Sequence, residues 1–235
     1  MRKLILSVVS LSFASCSTHD DHVATVVPTT RRMTSTDPHI AFWQWFQENI
    51  DRFNRFENDQ ERLMDELSQQ LHQIDENLVY EVSSAMSGTR ELVISADGIK
   101  ESFPSVIALS KTAPDIPGWT ITAFRPRVDL TQFTLWYDDK DLAAEDFYFW
   151  LQSEGQDIDL ILYIPALTDA NRDEFVRACY LLLDMAIGEH DVTKKLRYID
   201  HQRLPTNPEG EGLRPLTELP KEFVELYDKL HSNGA

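Results

Sequence analysis

Cysteine is almost absent. The 235 residues contain two, Cys16 and Cys179. A disulfide framework of the kind that staples small secreted domains is therefore excluded, and the chain must rely on its own apolar core. Glycine is also sparse, at eight residues. None of these falls in a phosphate-cradling spacing: there is no Gly-x-x-x-x-Gly-Lys and no Gly-x-Gly-x-x-Gly. The nucleophile elbow Gly-x-Ser-x-Gly, the zinc motif His-Glu-x-x-His and Cys-x-x-Cys are missing too, so no catalytic residue, metal or cofactor is assigned from motifs. Basic residues are few, 22 against 39 acidic ones, for a formal net charge of −17. Neutralising phosphates needs a basic surface, so no nucleic-acid partner is expected, nor direct docking on anionic lipid. No apolar run is long enough to remain as a spanning helix.

What is present begins with the first residues. Arg2 and Lys3 precede a short apolar stretch, Leu4 to Ala14, which ends in small residues; residues 1–15 read as a signal peptide. Ala14-Ser15-Cys16 resembles a bacterial lipobox, with Phe13 where leucine is usual. The resemblance implies that Cys16 is lipidated and becomes the new N-terminus. Loss of Arg2 and Lys3 then leaves 20 basic against 39 acidic residues, a net of −19. Ser17, rather than an aspartate, implies the outer membrane facing the periplasm in lipoproteins like those of enterobacteria. The alternative is an ordinary secretory signal and a periplasmic or secreted protein. Residues 16–36, rich in Thr, Ser and Asp, read as a flexible tether after the anchor. Cys179 is then the only other thiol. It lies on the apolar stripe of a helix and is expected to be buried and inert.

Residues 37–231 read as a single α+β domain organised around one hairpin and the helix after it. Phe147 to Leu151 is an aromatic, strand-forming run. Ile158, Leu160, Leu162 and Ile164 alternate with Asp159, Ile161 and Tyr163, a period of two, and Glu154-Gly155 supplies the turn between them. Asn171 to Ile187 repeats apolar residues at helical spacing, with Thr168 or Asp169 as its cap and Gly188 as its stop. Upstream, Asp37-Pro38 opens a helix whose stripe (Phe42, Phe46, Ile50, Phe53) continues through Leu63 to Ile74, as one long helix or two with a kink near Asn58. Leu78–Ser83 and Glu91–Ala96 form a second hairpin. A short helix through Phe103–Leu109 follows, then strands at Trp119–Phe124 and Phe133–Tyr137, an edge strand at Leu196–His201 and a final helix around Phe223–Leu230. Hairpins outnumber crossovers in this order. That predicts a mostly antiparallel sheet with helices packed on one face, ferredoxin-like as the best single description.

Several segments, taken in order, carry a resemblance: Phe42-Trp43-Gln44-Trp45-Phe46, the run Glu91 to Ile99, Ala123-Phe124-Arg125-Pro126-Arg127, and Leu181-Leu182-Leu183-Asp184 with Gly188-Glu189. Together they resemble an uncharacterised bacterial family over about Phe42 to Leu219. The resemblance implies no activity, cofactor or catalytic residue.

Three groups invite chemical readings. Asp184 lies within an apolar helix, and a buried carboxylate needs a partner. Arg125 or Arg127 could supply it, as a structural ion pair or as part of an anion-binding pocket. Glu189, His190, Asp191 and the more distant His201 are the nearest approach to a metal or acid–base cluster. The preferred reading of Glu189 and Asp191 is that they cap or solvate a loop. Asp138-Asp139-Lys140-Asp141 shares a few ligand types with a calcium loop but lacks its Gly and Glu spacing, and reads as a solvated turn. Trp43 and Trp45 read as core rather than as a ligand platform. The expected function is an envelope-anchored binding or interaction module. It touches the membrane through its lipid anchor only and takes a protein partner. The alternative is a hydrolase or other enzyme whose site is assembled around Asp184, Arg125 and Glu189.

Overall fold

The structure is a computed structural model that describes residues 37–55, 60–83, 88–132, 134–137 and 140–232. The expected signal peptide, tether and lipidation site at Cys16, the Asn58 region and the turn expected at Asp138-Asp139 lie outside the described residues.

The chain enters through α1 (Pro38–Glu48). The Asp37 side chain accepts the His39 N–H at 2.9 Å and Pro38 occupies the first turn, where its missing N–H costs nothing. The helix ends at Asn49, and its stripe resumes in the short α2 (Ile50–Phe53) and in α3 (Gln60–His72). One break falls at Asn49, whose Nδ2 donates to the Trp45 carbonyl at 2.9 Å. Phe42, Trp43, Phe46 and Phe53 are buried, and Trp43 Nε1 donates to the Leu109 carbonyl at 2.9 Å, so these aromatics seat the helices.

Two mixed sheets follow. β1 (Val79–Val82) pairs antiparallel with β2 (Arg90–Ser95). The chain then crosses through α4 (Phe103–Lys111) to β3 (Trp119–Ala123), which lies parallel to β2. β4 (Thr134–Tyr137) and β5 (Lys140–Ala143) form a separate antiparallel pair. The same hairpin-and-crossover order then recurs: β6 (Tyr148–Glu154) and β7 (Asp157–Ile164) are antiparallel, and the chain passes through α5 (Arg172–Ile187) and α6 (Glu189–Lys195) to β8 (Leu196–Arg203), parallel to β7. The two-residue strand β9 (Arg214–Pro215) pairs with the other edge of β6, and α7 (Leu219–His231) closes the described chain.

The α+β class is as expected, and the strands divide among separate sheets rather than forming one. The hairpins β1–β2 and β6–β7 are each followed by a helical crossover to a parallel strand, giving the orders β1-β2-β3 and β8-β7-β6-β9. Helices long enough for crossovers lie between β2 and β3 and between β7 and β8, and that spacing permits parallel pairing. The segment between Leu204 and Pro220 contributes β9. Glu189 and Asp191, expected to cap or solvate a loop, lie in helix α6. Asn171, not Thr168 or Asp169, stands at the N-cap of α5; its Oδ1 accepts the Thr168 N–H at 2.7 Å.

The buried apolar residues gather in two clusters. One runs from Phe42 to Phe124 across α1, α3, α4 and the first sheet. The other runs from Leu130 to Phe223 and packs Phe175, Cys179, Leu182 and Leu183 of α5 on Ile158, Leu160, Leu162 and Ile164 of β7. The period-two face of β7 is the face that α5 covers. Asp159, on the opposite face, pairs bidentately with Arg197.

Candidate functional site

The most polar buried cluster forms where the ends of β2, β3 and α5 meet the start of α6. Gly188 ends α5 with φ +90°, a backbone state that favours glycine, and a Cβ there would lie 3.6 Å from Arg127 Cγ. The turn places Glu189, with no exposed surface, as the first residue of α6. Its Oε1 accepts from the backbone N–H groups of Ala96 (3.0 Å) and Gly98 (3.3 Å), and its Oε2 from that of Arg125 (3.0 Å). Glu189 neither caps nor solvates a loop. It is the buried acceptor for three N–H groups at the ends of β2 and β3.

Arg125 follows Phe124, whose φ of +65° is strained for a bulky side chain. Packing holds it: Phe124 lies 4.5 Å from the Phe103 ring and 5.4 Å from His190, ring centre to ring centre. The Arg125 guanidinium reaches three carboxylates: Glu81 at 2.7 Å, Asp97 at 2.8 Å and Asp184 at 3.3 Å. Burial alone would lower the Arg125 pKa; Glu81 and Asp97 more than offset it, and its pKa lies above the ordinary value. Asp184 is the most weakly held of the three. Burial, reinforced by the neighbouring Glu189 charge, pushes its carboxyl up to about 7 against the pull of Arg125.

Arg127 turns elsewhere. Its Nε donates to the Ile187 carbonyl at the end of α5 (2.8 Å), and its Nη2 donates to Asp191 (2.8 Å). Lys195 also reaches Asp191, at 2.9 Å. Against burial, Lys195 and Arg127 together hold Asp191 below the usual carboxylate range. The structure therefore brings Arg125, Asp184 and Glu189 together and leaves Arg127 on the neighbouring pair. His190 lies on Phe124 and Phe103, whereas His201 packs against Tyr180 with ring centres 5.2 Å apart. Among the described residues, no group of three or more His, Cys, Asp or Glu side chains could hold a metal ion, and no helix is long and apolar enough to cross a membrane. Cys179 is fully buried, and burial pushes its thiol up to about 12.

Asp184 and Asp97 also border a groove of about 700 Å³. One wall is a face of α5, where Arg177, Tyr180, Leu181 and Asp184 recur at helical spacing. Val192 and Thr193 of α6, the start of β8 and the turn Asp97–Ile99 supply the remainder. Ile99, Tyr180 and Tyr198, all in the lining, are three of the five exposed large apolar residues among the described residues. The sequence singled out Asp184 and Arg125 but not Glu81 or Asp97, which join them only through tertiary structure. One local signal for the turn was there to read: Asp97-Gly98, in which both residues have positive φ.

No protein-family model, curated protein or solved structure matches this chain.

Proposed function

We propose that this chain is an envelope-anchored lipoprotein that works as a binding module, with the groove beside Asp184 as its ligand site. The observation that carries the reading is the groove itself. Its volume of about 700 Å³ falls in the range of ligand sites, and its lining combines apolar surface with a few charged groups, Arg177, Arg197, Asp97 and Asp184. The anchor is supported by the basic start, short apolar stretch and lipobox-like Ala14-Ser15-Cys16 of the sequence. Attachment through Cys16 sets the protein on the outer membrane, facing the periplasm, with the lipid as its one membrane contact and a protein as its partner.

Two measurements on full-length protein in native envelopes test this. The first compares detergent and aqueous recovery of wild type and Cys16→Ala; equal partitioning of the two would refute the anchor. The second places a photo-crosslinking residue at Tyr180 or, as a control outside the groove, at Lys221. A defined adduct from Tyr180 and none from Lys221 is expected. Equal labelling from both positions, or none from Tyr180, overturns the groove as the binding site.

A second reading, a hydrolase or other enzyme, draws on one feature. A carboxyl that titrates near neutrality is matched to general acid–base work, and Asp184 is such a group. No His, Ser or Cys stands with it among the residues lining the groove, which favours binding. Turnover of a bound compound that is lost in Asp184→Asn while its binding persists would reverse the preference.

A further inference from the structure

We propose that the groove binds an extended peptide segment, receiving a lysine or arginine side chain at Asp97 and Asp184 and an acidic side chain of the same segment at Arg177. The inference rests on the binding-module reading and names its ligand class.

Charge gives the first argument. One guanidinium, that of Arg125, serves the carboxylates of Glu81, Asp97 and Asp184, with Glu189 directly behind. Its Nη1 is shared between Asp97 at 2.8 Å and Asp184 at 3.3 Å. The Asp97 side chain is 65% exposed at the groove mouth, and that of Asp184 is 7% exposed. An arriving cation would meet carboxylates that have too little positive charge for their number, in a site partly withdrawn from water, where such pairing is strong.

The groove is also polar along its length. Arg177 and Asp184 are seven residues apart on one face of α5, about 10 Å along the helix axis. Between them lie Tyr180 and Leu181. The Arg177 side chain forms no ion pair or hydrogen bond among the described residues. A ligand with a cation at one end, an apolar middle and an anion at the other matches that order.

The strand edge selects a peptide over a small zwitterion. β8 is the terminal strand of its sheet, and its first residues line the groove. Farther along, Arg172 Nη2 occupies the His201 carbonyl at 2.9 Å. No side chain among the described residues does the same at Arg197–Ile199, so main-chain pairing is open there. A register shift near the start of β8 discourages indiscriminate strand addition and leaves selection to the side chains.

The test uses the purified full chain and calorimetry at pH 8. The probe is acetyl-Lys-Val-Thr-Val-Glu-amide, whose terminal side chains share one face when extended. Its norleucine analogue removes the cation and its glutamine analogue removes the anion. The lysine peptide should bind about tenfold more tightly than the norleucine peptide. Asp97→Asn, which alters an exposed side chain, should cut that preference by about threefold, and adding Asp184→Asn should abolish it. Arg177→Ala should erase the difference between the glutamate and glutamine peptides. Equal affinity of the lysine and norleucine peptides, or no binding of the lysine peptide at millimolar concentration, overturns the proposal. A Tyr180 crosslink in envelopes together with either of those results would remove the ligand class and leave the binding role standing; loss of both would remove the two together.

Discussion

Glu189 and Arg125 exchange two hydrogen bonds. The backbone N–H of Glu189 donates to the Arg125 carbonyl at 3.1 Å, and the backbone N–H of Arg125 donates back to the Glu189 carboxylate at 3.0 Å. The exchange joins the end of β3, in the first apolar cluster, to the start of α6, in the second. With Ala96 and Gly98 also donating to Glu189, one buried side chain fixes the ends of two strands against one helix.

Removing that acceptor should be costly. Glu189→Ala leaves three N–H groups without their partner, and each such loss in the interior costs about 1–3 kcal/mol. A net loss of at least about 3 kcal/mol is expected, read from the urea midpoint at unchanged slope. Glu189→Gln keeps one oxygen and turns an amide NH₂ toward a donor, so it should lose less than alanine but still more than about 1 kcal/mol. Equal, small effects of both substitutions would mean that water replaces the carboxylate.

The two arginines of the Arg125-Pro126-Arg127 run should behave differently. Arg125, with its side chain 12% exposed, holds three carboxylates; Arg127, 40% exposed, holds Asp191 and one carbonyl. Arg125→Ala strands charges in a partly buried site, for which about 3 kcal/mol is the usual scale. Arg127→Ala leaves Asp191 with Lys195 and should cost about 1 kcal/mol. Thermal melts of the two single variants decide this, and equal losses would contradict the asymmetry.

Local signals in the sequence were enough to place most of the elements. Period-two alternation gave β7, helical spacing gave α5, and Asp37-Pro38 gave the start of α1, because each depends on neighbours within a few residues. Parallel pairing was not legible. That β3 joins β2, and that β8 joins β7, depends on crossovers whose partners are distant in sequence, so the hairpins alone suggested one mostly antiparallel sheet. The site divided in the same way. Asp184 stood out as an acid on an apolar helix stripe, and an arginine partner followed from the cost of burying it. Glu189 was misjudged because its three donors come from residues 64 to 93 positions away. The turn at Gly188 could be read locally, but not what it turned the next side chain toward.

Cys179 should be silent to thiol reagents in the folded protein. It is fully buried, and its thiol is pushed up to about 12, so neither access nor thiolate is available at neutral pH. In a Cys16→Ala chain, a colorimetric disulfide reagent should find no thiol before denaturation and one afterwards. Prompt labelling of the native chain would show that α5 opens from β7 on the assay timescale.

Asp184 supplies the pH dependence. Its folded carboxyl titrates at about 7, against an ordinary value of 3.8. Below the ordinary value both states hold the proton. Between the two values the folded state holds it and the unfolded state has released it, so stability falls as pH rises through this window and levels off above about 7. The full shift corresponds to at most about 4 kcal/mol, reduced by any relaxation around the group. The carboxylates lowered by partners act in the other direction and elsewhere. Asp159, held down by Arg197, contributes stability that is lost as pH falls below the ordinary carboxylate range. Asp184→Asn keeps the shape and removes the titration. The advantage of the variant over wild type should be small near pH 4, where both states largely hold the proton, grow through pH 5 to 7 and level off by pH 8 at no more than about 4 kcal/mol. Melting temperatures of the two proteins across that range measure the difference directly. A constant difference, or one that grows toward acid, would mean that Arg125 holds Asp184 ionised throughout.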